Sequence, residues 1–536
     1  MRARGGEVRS RAEATRGSAG DLSNLASGWL LNLLGIASTA IFGFAFGIVV
    51  ARSLGAAGSG VFFVAVTLFM LLQAASEFGS GTGMVRTVAR LTALRRYGDI
   101  RRLMTIALVP PLLLSTVLAA ALFVFATQIA DVVLAGEAVD TATPYLKTFA
   151  FFLPLAAASA IVLATTRGLG TMVPMVAIEQ IGKSLARLVL TMAAVAAGAG
   201  AVVLGLAWGL PVAAGLLAGA LALVSLLRRT GRAPTDAAVV PRRALAREFW
   251  RFTAPLGVAG VLQIALLWFD TILVAALTTP AEAGIYRAAA RYVSQAMIAN
   301  QAIVFVIGPL LSSLLALAYR ERAERVYGTA TMWIVAASWP INLTLAIFSP
   351  LLMRAYGGEF ENGATALTIL ALSLLAGTAA GPVSVVLVMG GKSGWHLANI
   401  AAALGVNIVL NLLLTPRYGM TGAAIAWAAG IVVNNVAPLV QVWILLRLHP
   451  FARGLALVAP AAVFCFGGIG IATRVLFPAE IGVFLGFCIV ATSVYIGFLW
   501  RHRAALRLDV FRDAARARRQ RSRQAGTEIP QLDAAS

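Results

Sequence analysis

Long apolar runs recur from about residue 27 to residue 500 of this 536-residue chain. Most are about 20 residues or longer, the length at which a helix crosses the hydrocarbon core of a bilayer. Hydrophobic residues make up 60% of the chain and charged residues only 12%, and the mean hydropathy is +0.87. A soluble globular protein is about half apolar and about a quarter charged. The pattern therefore excludes a soluble enzyme, a nucleic-acid-binding module and a disordered scaffold.

The runs predict an all-α, polytopic membrane protein with about fourteen transmembrane helices. Barrel strands would instead give alternating segments of about ten residues. We expect two parallel six-helix lobes followed by a C-terminal helix pair. The predicted parts are a basic cytoplasmic N-tail (1–26), an N-lobe (27–227), a cytoplasmic linker (228–252), a C-lobe (253–446), the last helix pair (447–500) and a basic cytoplasmic C-tail (501–536).

The distribution of basic residues predicts the orientation in the membrane. The net charge is +21, and 40 of the 43 basic residues are arginine. With the N-terminus in the cytoplasm, 34 of the 43 fall in cytoplasmic connections and tails and 5 in outer ones. Cytoplasmic loops carry such an excess in membrane proteins. Both termini are therefore predicted to be cytoplasmic. The arginine-, alanine- and glycine-rich composition indicates a bacterium with a GC-rich genome, and its cytoplasmic membrane is the expected location.

Two short turns predict an internal repeat. Setting Gly60 against Gly284 also aligns Phe62 with Tyr286, at an offset of 224 residues. That offset corresponds to six spans and their loops. Because six is even, both halves would have the same orientation, as in a parallel repeat about an axis along the membrane normal.

Three motifs in the second half resemble a known family. Residues 388–392 read VMGGK, residues 407–411 read NIVLN, and residues 416–426 read PRYGMTGAAIA. Glycine suits Gly419 because a tight turn needs a positive φ, and a small residue at Gly422 lets the next helix pack closely. With the repeated turns, these motifs resemble the Wzx-type polysaccharide flippases of the MOP superfamily. Lipid II flippases and MATE-type antiporters are relatives with similar architecture.

The resemblance implies a flippase for cell-surface polysaccharide biosynthesis. Such a protein moves a polyprenyl-pyrophosphate-linked oligosaccharide from the inner to the outer leaflet of the cytoplasmic membrane by alternating access. The implied partners are the lipid-linked oligosaccharide, membrane lipids and other polysaccharide-assembly proteins. Neither a cofactor, a metal nor a nucleic acid is expected.

Ionisable residues inside the spans are candidate site residues, because each costs at least a few kcal/mol unless it faces a cavity or a partner. The fifth span contains Glu179, Lys183 and Arg187 at a spacing that places them on one helix face. An ion pair between Glu179 and Lys183 would satisfy both but leave Arg187 unpaired. We therefore expect this face to line a cavity.

The seventh and eighth spans carry a second group of charges. Arg287 and Arg291 share a face of the eighth span near its outer end, and Asp270 lies at similar depth in the seventh. Snorkelling to the outer headgroups explains the arginines about as well as substrate binding does. A structural ion pair between Asp270 and Arg291 is a further alternative.

A cavity with net positive charge suits an anion. Our hypothesis is that one headgroup site is formed by Lys183, Arg187, Arg287 and Arg291, which would bind the phosphates of the lipid carrier. Coupling to protons or sodium through Glu179 or Asp270 is a weaker hypothesis.

Two other classes of protein remain open. A MATE-like antiporter for cationic molecules would have a cavity dominated by acids and aromatics, whereas basic groups outnumber acids in these spans. A membrane enzyme of polysaccharide assembly would place catalytic groups on a large outer loop. The largest predicted outer loop is short, and its acids are Asp131, Glu137 and Asp140.

Overall fold

The computed structural model describes residues 2–230, 241–317, 319–452, 454–503 and 506. Every regular element among these residues is a helix, which confirms the predicted all-α fold class. Ten of the described helices are long and apolar enough to cross a membrane. Two of these ten, with 44 and 54 residues, each contain an internal break. The count of about fourteen crossings therefore stays a prediction.

The helices follow one another along the chain with short connections. The first nine are α1 (Arg2–Glu77), α2 (Ser80–Ala93), α3 (Tyr97–Val124), α4 (Ala126–Val133), α5 (Val139–Gly168), α6 (Lys183–Ala196), α7 (Ala201–Thr230), α8 (Arg242–Leu277) and α9 (Pro280–Ala296). The next nine are α10 (Ile298–Ala316), α11 (Arg320–Ile347), α12 (Ser349–Arg354), α13 (Ala364–Ala379), α14 (Val383–Met389), α15 (Ser393–Gln441), α16 (Leu455–Ala462), α17 (Ile469–Leu476) and α18 (Ile481–Arg501). Other helical types are the π-helices Met175–Gly182, Val442–Leu446 and Val463–Gly468 and the 3-10 helix Gly358–Gly363.

Glycines at positive φ break the two longest helices. Gly55 in α1 has φ 67° and ψ −174°, and Gly419 in α15 has φ 56° and ψ −143°. This confirms the positive φ predicted at Gly419. Close packing at Gly422 is also confirmed, since a Cβ there would lie 2.5 Å from the carbonyl oxygen of Leu414. Each long element is therefore two helices joined by a tight turn.

The glycines aligned by the predicted repeat lie in direct backbone contact. A Cβ at Gly60 would lie 1.7 Å from the carbonyl oxygen of Pro280, and one at Gly284 would lie 2.3 Å from that of Ala56. Only a residue without a side chain allows the backbones of α1 and α9 to approach so closely. The two helices therefore cross at this pair of glycines.

Contacts divide the chain into two compact units. Unit 1 comprises Met1–Ile298, Leu352–Leu370 and Leu397–Asn434, and unit 2 comprises Ala299–Leu351, Ala371–His396 and Asn435–Ser536. In unit 2, the buried Tyr327 hydroxyl donates to the carbonyl oxygen of Ala380 at 2.8 Å. The predicted lobes are consecutive stretches of sequence, whereas these units are defined by contacts and each combines separate stretches. The units therefore do not test the lobe boundaries, which stay a prediction. All six candidate site residues belong to unit 1.

The predicted linker and C-tail lie partly outside the described residues. Residues 231–240 of the linker are not described, and the remainder from Arg242 forms the first turns of α8. Leu245 and Phe249 in these turns are buried in a hydrophobic core that also includes Met84 of α2. Of the C-tail, only residues 501–503 and 506 are described.

Candidate functional site

Helix α9 places its two arginines on one buried face. The helix begins at Pro280, and the Thr279 hydroxyl caps it by accepting a hydrogen bond from the Glu282 backbone N–H at 3.2 Å. Arg287 and Arg291 lie one turn apart and therefore on the same side. Arg287 is 5% exposed, and its guanidinium lies 3.6 Å from the ring centroid of Trp268 on α8. Such stacking lets an arginine stay charged in an apolar setting.

Arg291 lies in a notch formed by glycines of α1. A Cβ at Gly43 would lie 3.1 Å from a terminal nitrogen of Arg291, and one at Gly47 would lie 3.1 Å from its Cδ. These glycines are four residues apart and hence on one helix face. The Nε of Arg291 is buried and has no hydrogen-bond partner. Because Gly43 and Gly47 have no side chain, they leave the space that the Arg291 side chain occupies.

An aromatic cluster lies next to the arginines. The ring of Phe44 is 5.0 Å from that of Tyr292 and 5.6 Å from that of Tyr356, and the two tyrosine rings are 5.7 Å apart. All three contacts have the edge-to-face geometry that aromatic pairs favour. The Tyr292 hydroxyl donates to the carbonyl oxygen of Leu352 at 2.6 Å. The hydroxyl of Tyr356 is buried and has no hydrogen-bond partner.

Asp270 is held by neutral donors. The carboxylate is 2% exposed, accepts a hydrogen bond from the Asn411 amide at 2.8 Å, and lies 3.4 Å from the Tyr286 hydroxyl. The Thr415 hydroxyl in turn donates to the Asn411 side-chain oxygen at 3.0 Å. No salt bridge joins Asp270 to Arg291 in the described part of the chain. The arginines of α9 therefore keep their charge uncompensated by this acid.

The charges of the fifth predicted span form a separate inner cluster. Glu179 and Lys183 form the ion pair considered above, and Lys183 also interacts electrostatically with Glu77 of α1. Arg187 is not left without contacts, because its Nε donates to the carbonyl oxygen of Trp208 at 3.0 Å. Its guanidinium also lies 3.9 Å from the centroid of the Trp208 ring. Lys183 thus has an ion-pair partner and Arg187 a hydrogen-bond partner, and neither kind of partner is found for Arg287 or Arg291 among the described residues.

One face of α1 runs past both clusters. At Gly35, a Cβ would clash with the side chains of Gln180 and Val176 in the π-helix, and the Thr39 hydroxyl lies 3.1 Å from the Gln180 carbonyl oxygen. Gly43 and Gly47 follow eight and twelve residues after Gly35 and contact Arg291. At 1.5 Å per residue, the inner and outer contacts are about 6–18 Å apart along α1. Gln180, beside the inner cluster, and Arg291 of α9 therefore both contact this face of α1.

The helix type changes within the inner cluster, because the π-helix Met175–Gly182 precedes the regular helix α6. A π-helix inserts an extra residue per turn and is often found at functional sites. Glu179 and Gln180 fall inside it, whereas Lys183 begins the regular helix α6. The sequence pattern predicted the shared face but not this change of helix type.

Sequence reasoning missed Trp268, Tyr356 and the notch glycines of α1. A glycine repeat at 35, 43 and 47 is visible in the sequence and indicates a close helix approach. Nothing in the sequence indicated which residue fills the notch, because Arg291 is more than 240 positions away. Tyr356 carries no local signal, since its position depends on the turn between α12 and the following 3-10 helix.

The structure also places the remaining candidate groups. The outer-loop acids Asp131, Glu137 and Asp140 are all exposed. Within the described ranges, no group of three or more His, Cys, Asp or Glu side chains is placed to hold a metal ion.

Comparison with known proteins gives one family match and one curated relative. A family model described as "Polysaccharide biosynthesis protein" matches residues 25–315, more than half of the chain. A stretch of 192 residues is 23% identical to "Probable low-salt glycan biosynthesis flippase Agl15" of Haloferax volcanii. That stretch is 36% of this chain and 41% of the relative, so the chain spans less than half the length of this relative.

Solved transporter structures share the fold. "Lipid II flippase MurJ, inward closed conformation" matches with a TM-score of 0.68 at 14% identity, over 89% of this chain and 99% of the other. An inward-facing multidrug resistance MATE family transporter of the MOP superfamily matches with a TM-score of 0.59 at 17% identity, over 81% and 98% of the two chains. At these identities the likeness shows the fold, and it confirms the predicted polytopic α-helical architecture.

Proposed function

Because the chain belongs to the polysaccharide biosynthesis protein family, we propose that it is a flippase for lipid-linked oligosaccharide. It moves polyprenyl-pyrophosphate-linked oligosaccharide from the inner to the outer leaflet of the membrane by alternating access. The curated relative is named as a glycan biosynthesis flippase, and one solved structure of the same fold is named as a lipid II flippase. Both names support movement of a glycan-bearing lipid rather than catalysis.

The pair of arginines on α9 is the observation that carries this proposal. Arg287 and Arg291 are in a predicted span, and no salt bridge to either is found among the described residues. A charge at this depth costs at least about 2.5 kcal/mol, so membrane proteins keep it where it serves an ion or a substrate. Two guanidinium groups on one face bind phosphate oxygens through paired N–H donors. A pyrophosphate headgroup fits this charge and geometry.

The inner cluster extends the same path. Lys183 and Arg187 belong to α6, which directly follows the π-helix that contacts α1 at Gly35, and we assign them to the same headgroup site. Lys183 is partly neutralised by Glu179, and Arg187 is oriented by Trp208. We therefore assign the inner cluster to first contact with the headgroup and the α9 arginines to tighter binding.

The proposed location is the cytoplasmic membrane of a bacterium, with both termini in the cytoplasm. The membrane potential then drives a bound anion outward with about 2.3 kcal/mol per charge per 100 mV. Other polysaccharide-assembly proteins and the lipids around the basic cytoplasmic face are the proposed partners.

Reconstitution tests the function directly. Liposomes containing the protein and polyprenyl-pyrophosphate oligosaccharide in both leaflets are treated with an external sugar-modifying enzyme. We expect the wild type to expose nearly all of the lipid, and Arg187→Ala to slow exposure about tenfold, equivalent to one lost charged hydrogen bond. Unchanged rates for Arg187→Ala would remove this residue from the site but keep the flippase. Absence of movement in the wild type with a matched lipid would favour the MATE-like antiporter.

Asp270 is the better candidate for coupling to an ion. Glu179 is already paired with Lys183, whereas Asp270 is buried among neutral donors and can take up a proton or a sodium ion. We expect Asp270→Asn to abolish the response of flipping to an imposed proton or sodium gradient, because asparagine keeps the shape but loses the charge. Flipping is measured with each gradient and without one, and Glu179→Gln is the control that should keep its response. A full gradient response in Asp270→Asn contradicts the assignment.

A further inference from the structure

Two donor groups at the α9 end of the site are buried without an acceptor. They are the Nε of Arg291 and the hydroxyl of Tyr356. Tyr356 has no exposed surface, and both Arg287 and Arg291 act on it electrostatically. A buried donor without a partner destabilises a fold, and the large majority of such groups are paired in proteins. Two such groups, on side chains that both pack against residues 43–47 of α1, indicate a site for an acceptor that the protein itself does not supply.

The surroundings fix the positions of these donors. The glycine notch at Gly43 and Gly47 holds the Arg291 side chain, and the ring of Tyr356 packs against Phe44 and Phe360 at centroid distances of 5.6 Å and 5.8 Å. Neither donor group can turn away to find another partner without losing this packing. Preorganised donors of this kind bind an oxyanion with little loss of side-chain entropy.

Comparison with Tyr292 shows that an unpaired hydroxyl is not general to this aromatic cluster. The Tyr292 ring belongs to the same aromatic cluster, yet its hydroxyl donates to the Leu352 carbonyl oxygen at 2.6 Å. The Tyr292 hydroxyl therefore has a hydrogen bond within the fold, whereas the hydroxyl of its neighbour Tyr356 has none.

The segment that carries Tyr356 is tied to the break in α1 on both sides of that residue. The Arg52 Nε donates to the carbonyl oxygen of Ala355 at 2.9 Å, and the Ala56 backbone N–H donates to the Glu359 carboxylate at 3.1 Å. These two bonds flank Gly55, the glycine at positive φ. With both hydrogen bonds in place, Tyr356 is fully buried. A ligand reaches it when this turn and the segment 355–359 separate.

We propose that Tyr356, Arg287 and Arg291 form an oxyanion subsite that receives the anionic group of the substrate when this turn opens. The inference rests on the proposed flippase function and adds an exit step to it. A phosphate of the lipid carrier and a carboxylate of an acidic sugar share the required chemistry, since each offers oxygens to a hydroxyl and a guanidinium at once.

The test compares the two tyrosines in the full-length protein. Binding of farnesyl pyrophosphate and of glucuronate is measured for the wild type, Tyr356→Phe and Tyr292→Phe, together with their melting temperatures. We expect Tyr356→Phe to bind one or both probes about tenfold more weakly, as for loss of one hydrogen bond to a charged group, with an unchanged or higher melting temperature. Tyr292→Phe should show the reverse, with unchanged binding and a lower melting temperature.

The binding results identify the ligand of the subsite or overturn the subsite. Weaker binding of farnesyl pyrophosphate alone identifies the carrier phosphate as the ligand, and weaker binding of glucuronate alone identifies a sugar carboxylate. Equal binding of both probes by wild type and Tyr356→Phe overturns the subsite, as does failure of the wild type to bind either probe. In both of these cases the flippase function stands if the reconstituted wild type still moves lipid-linked oligosaccharide, and falls only if it does not.

Discussion

Replacing Arg287 and Arg291 together with glutamine should reduce flipping of lipid-linked oligosaccharide by about a hundredfold or more. Each guanidinium is expected to give about 1.5–3 kcal/mol through hydrogen bonds to a charged ligand, so losing two exceeds 3 kcal/mol. Glutamine keeps a polar side chain of moderate length, which limits the change in packing beside Trp268 and the α1 notch. The measurement is the rate at which the lipid becomes accessible in proteoliposomes.

Single variants and a surface control sharpen this prediction. Arg287→Lys and Arg291→Lys keep the charge but lose the planar fork, so each should fall between the wild type and the double variant. Arg325→Gln is the matched control, because Arg325 is half exposed and pairs with Glu321 of its own helix at 3.7 Å. It should flip at the wild-type rate. Normal flipping by the double variant would show that the buried arginines serve the fold alone.

The sequence contained most of the information about the fold. Long apolar runs predict helices wherever lipid surrounds them, because only an internally hydrogen-bonded segment is stable there. The turn at Gly419 was predictable for a local reason, since the motif around it needs a positive φ that glycine readily adopts. The π-helix around Glu179 was not predictable, because its composition is that of an ordinary apolar helix.

The sequence singles out the candidate site residues, which stay a prediction, but it does not show their pairings. Charges within the spans are rare enough to stand out, and depth along a helix follows from its rise per residue. Which charge meets which partner depends on helix packing. Asp270 and Arg291 are predicted to lie at similar depth, yet Asp270 bonds to Asn411 while Arg291 enters a notch in α1. The role of Tyr356 depends on a turn more than 60 residues away from Arg291 along the chain.

The crossing of α1 and α9 gives the largest expected effect on stability. An alanine at Gly60 would place its Cβ 1.7 Å from the carbonyl oxygen of Pro280 and 2.7 Å from its carbonyl carbon. Both are backbone atoms, so no side chain can move aside, and the two helices must separate. We expect Gly60→Ala to lower the free energy of unfolding by about 1–3 kcal/mol, the range for overpacked sites. Thermal unfolding of the purified protein measures the change.

The matched control for this substitution is Gly405→Ala in α15, where a Cβ would meet nothing within 4 Å. Alanine is the better helix former, so this variant should be as stable as the wild type or more so.

Separation of the two helices can be measured directly at Ser59, which is fully buried at the crossing. With Cys465 and Cys488 replaced by serine, a Ser59→Cys thiol should react with a membrane-impermeant maleimide only when Gly60→Ala is also present. An unreactive thiol in both backgrounds, with unchanged melting, would mean that the helices absorb the methyl group without separating.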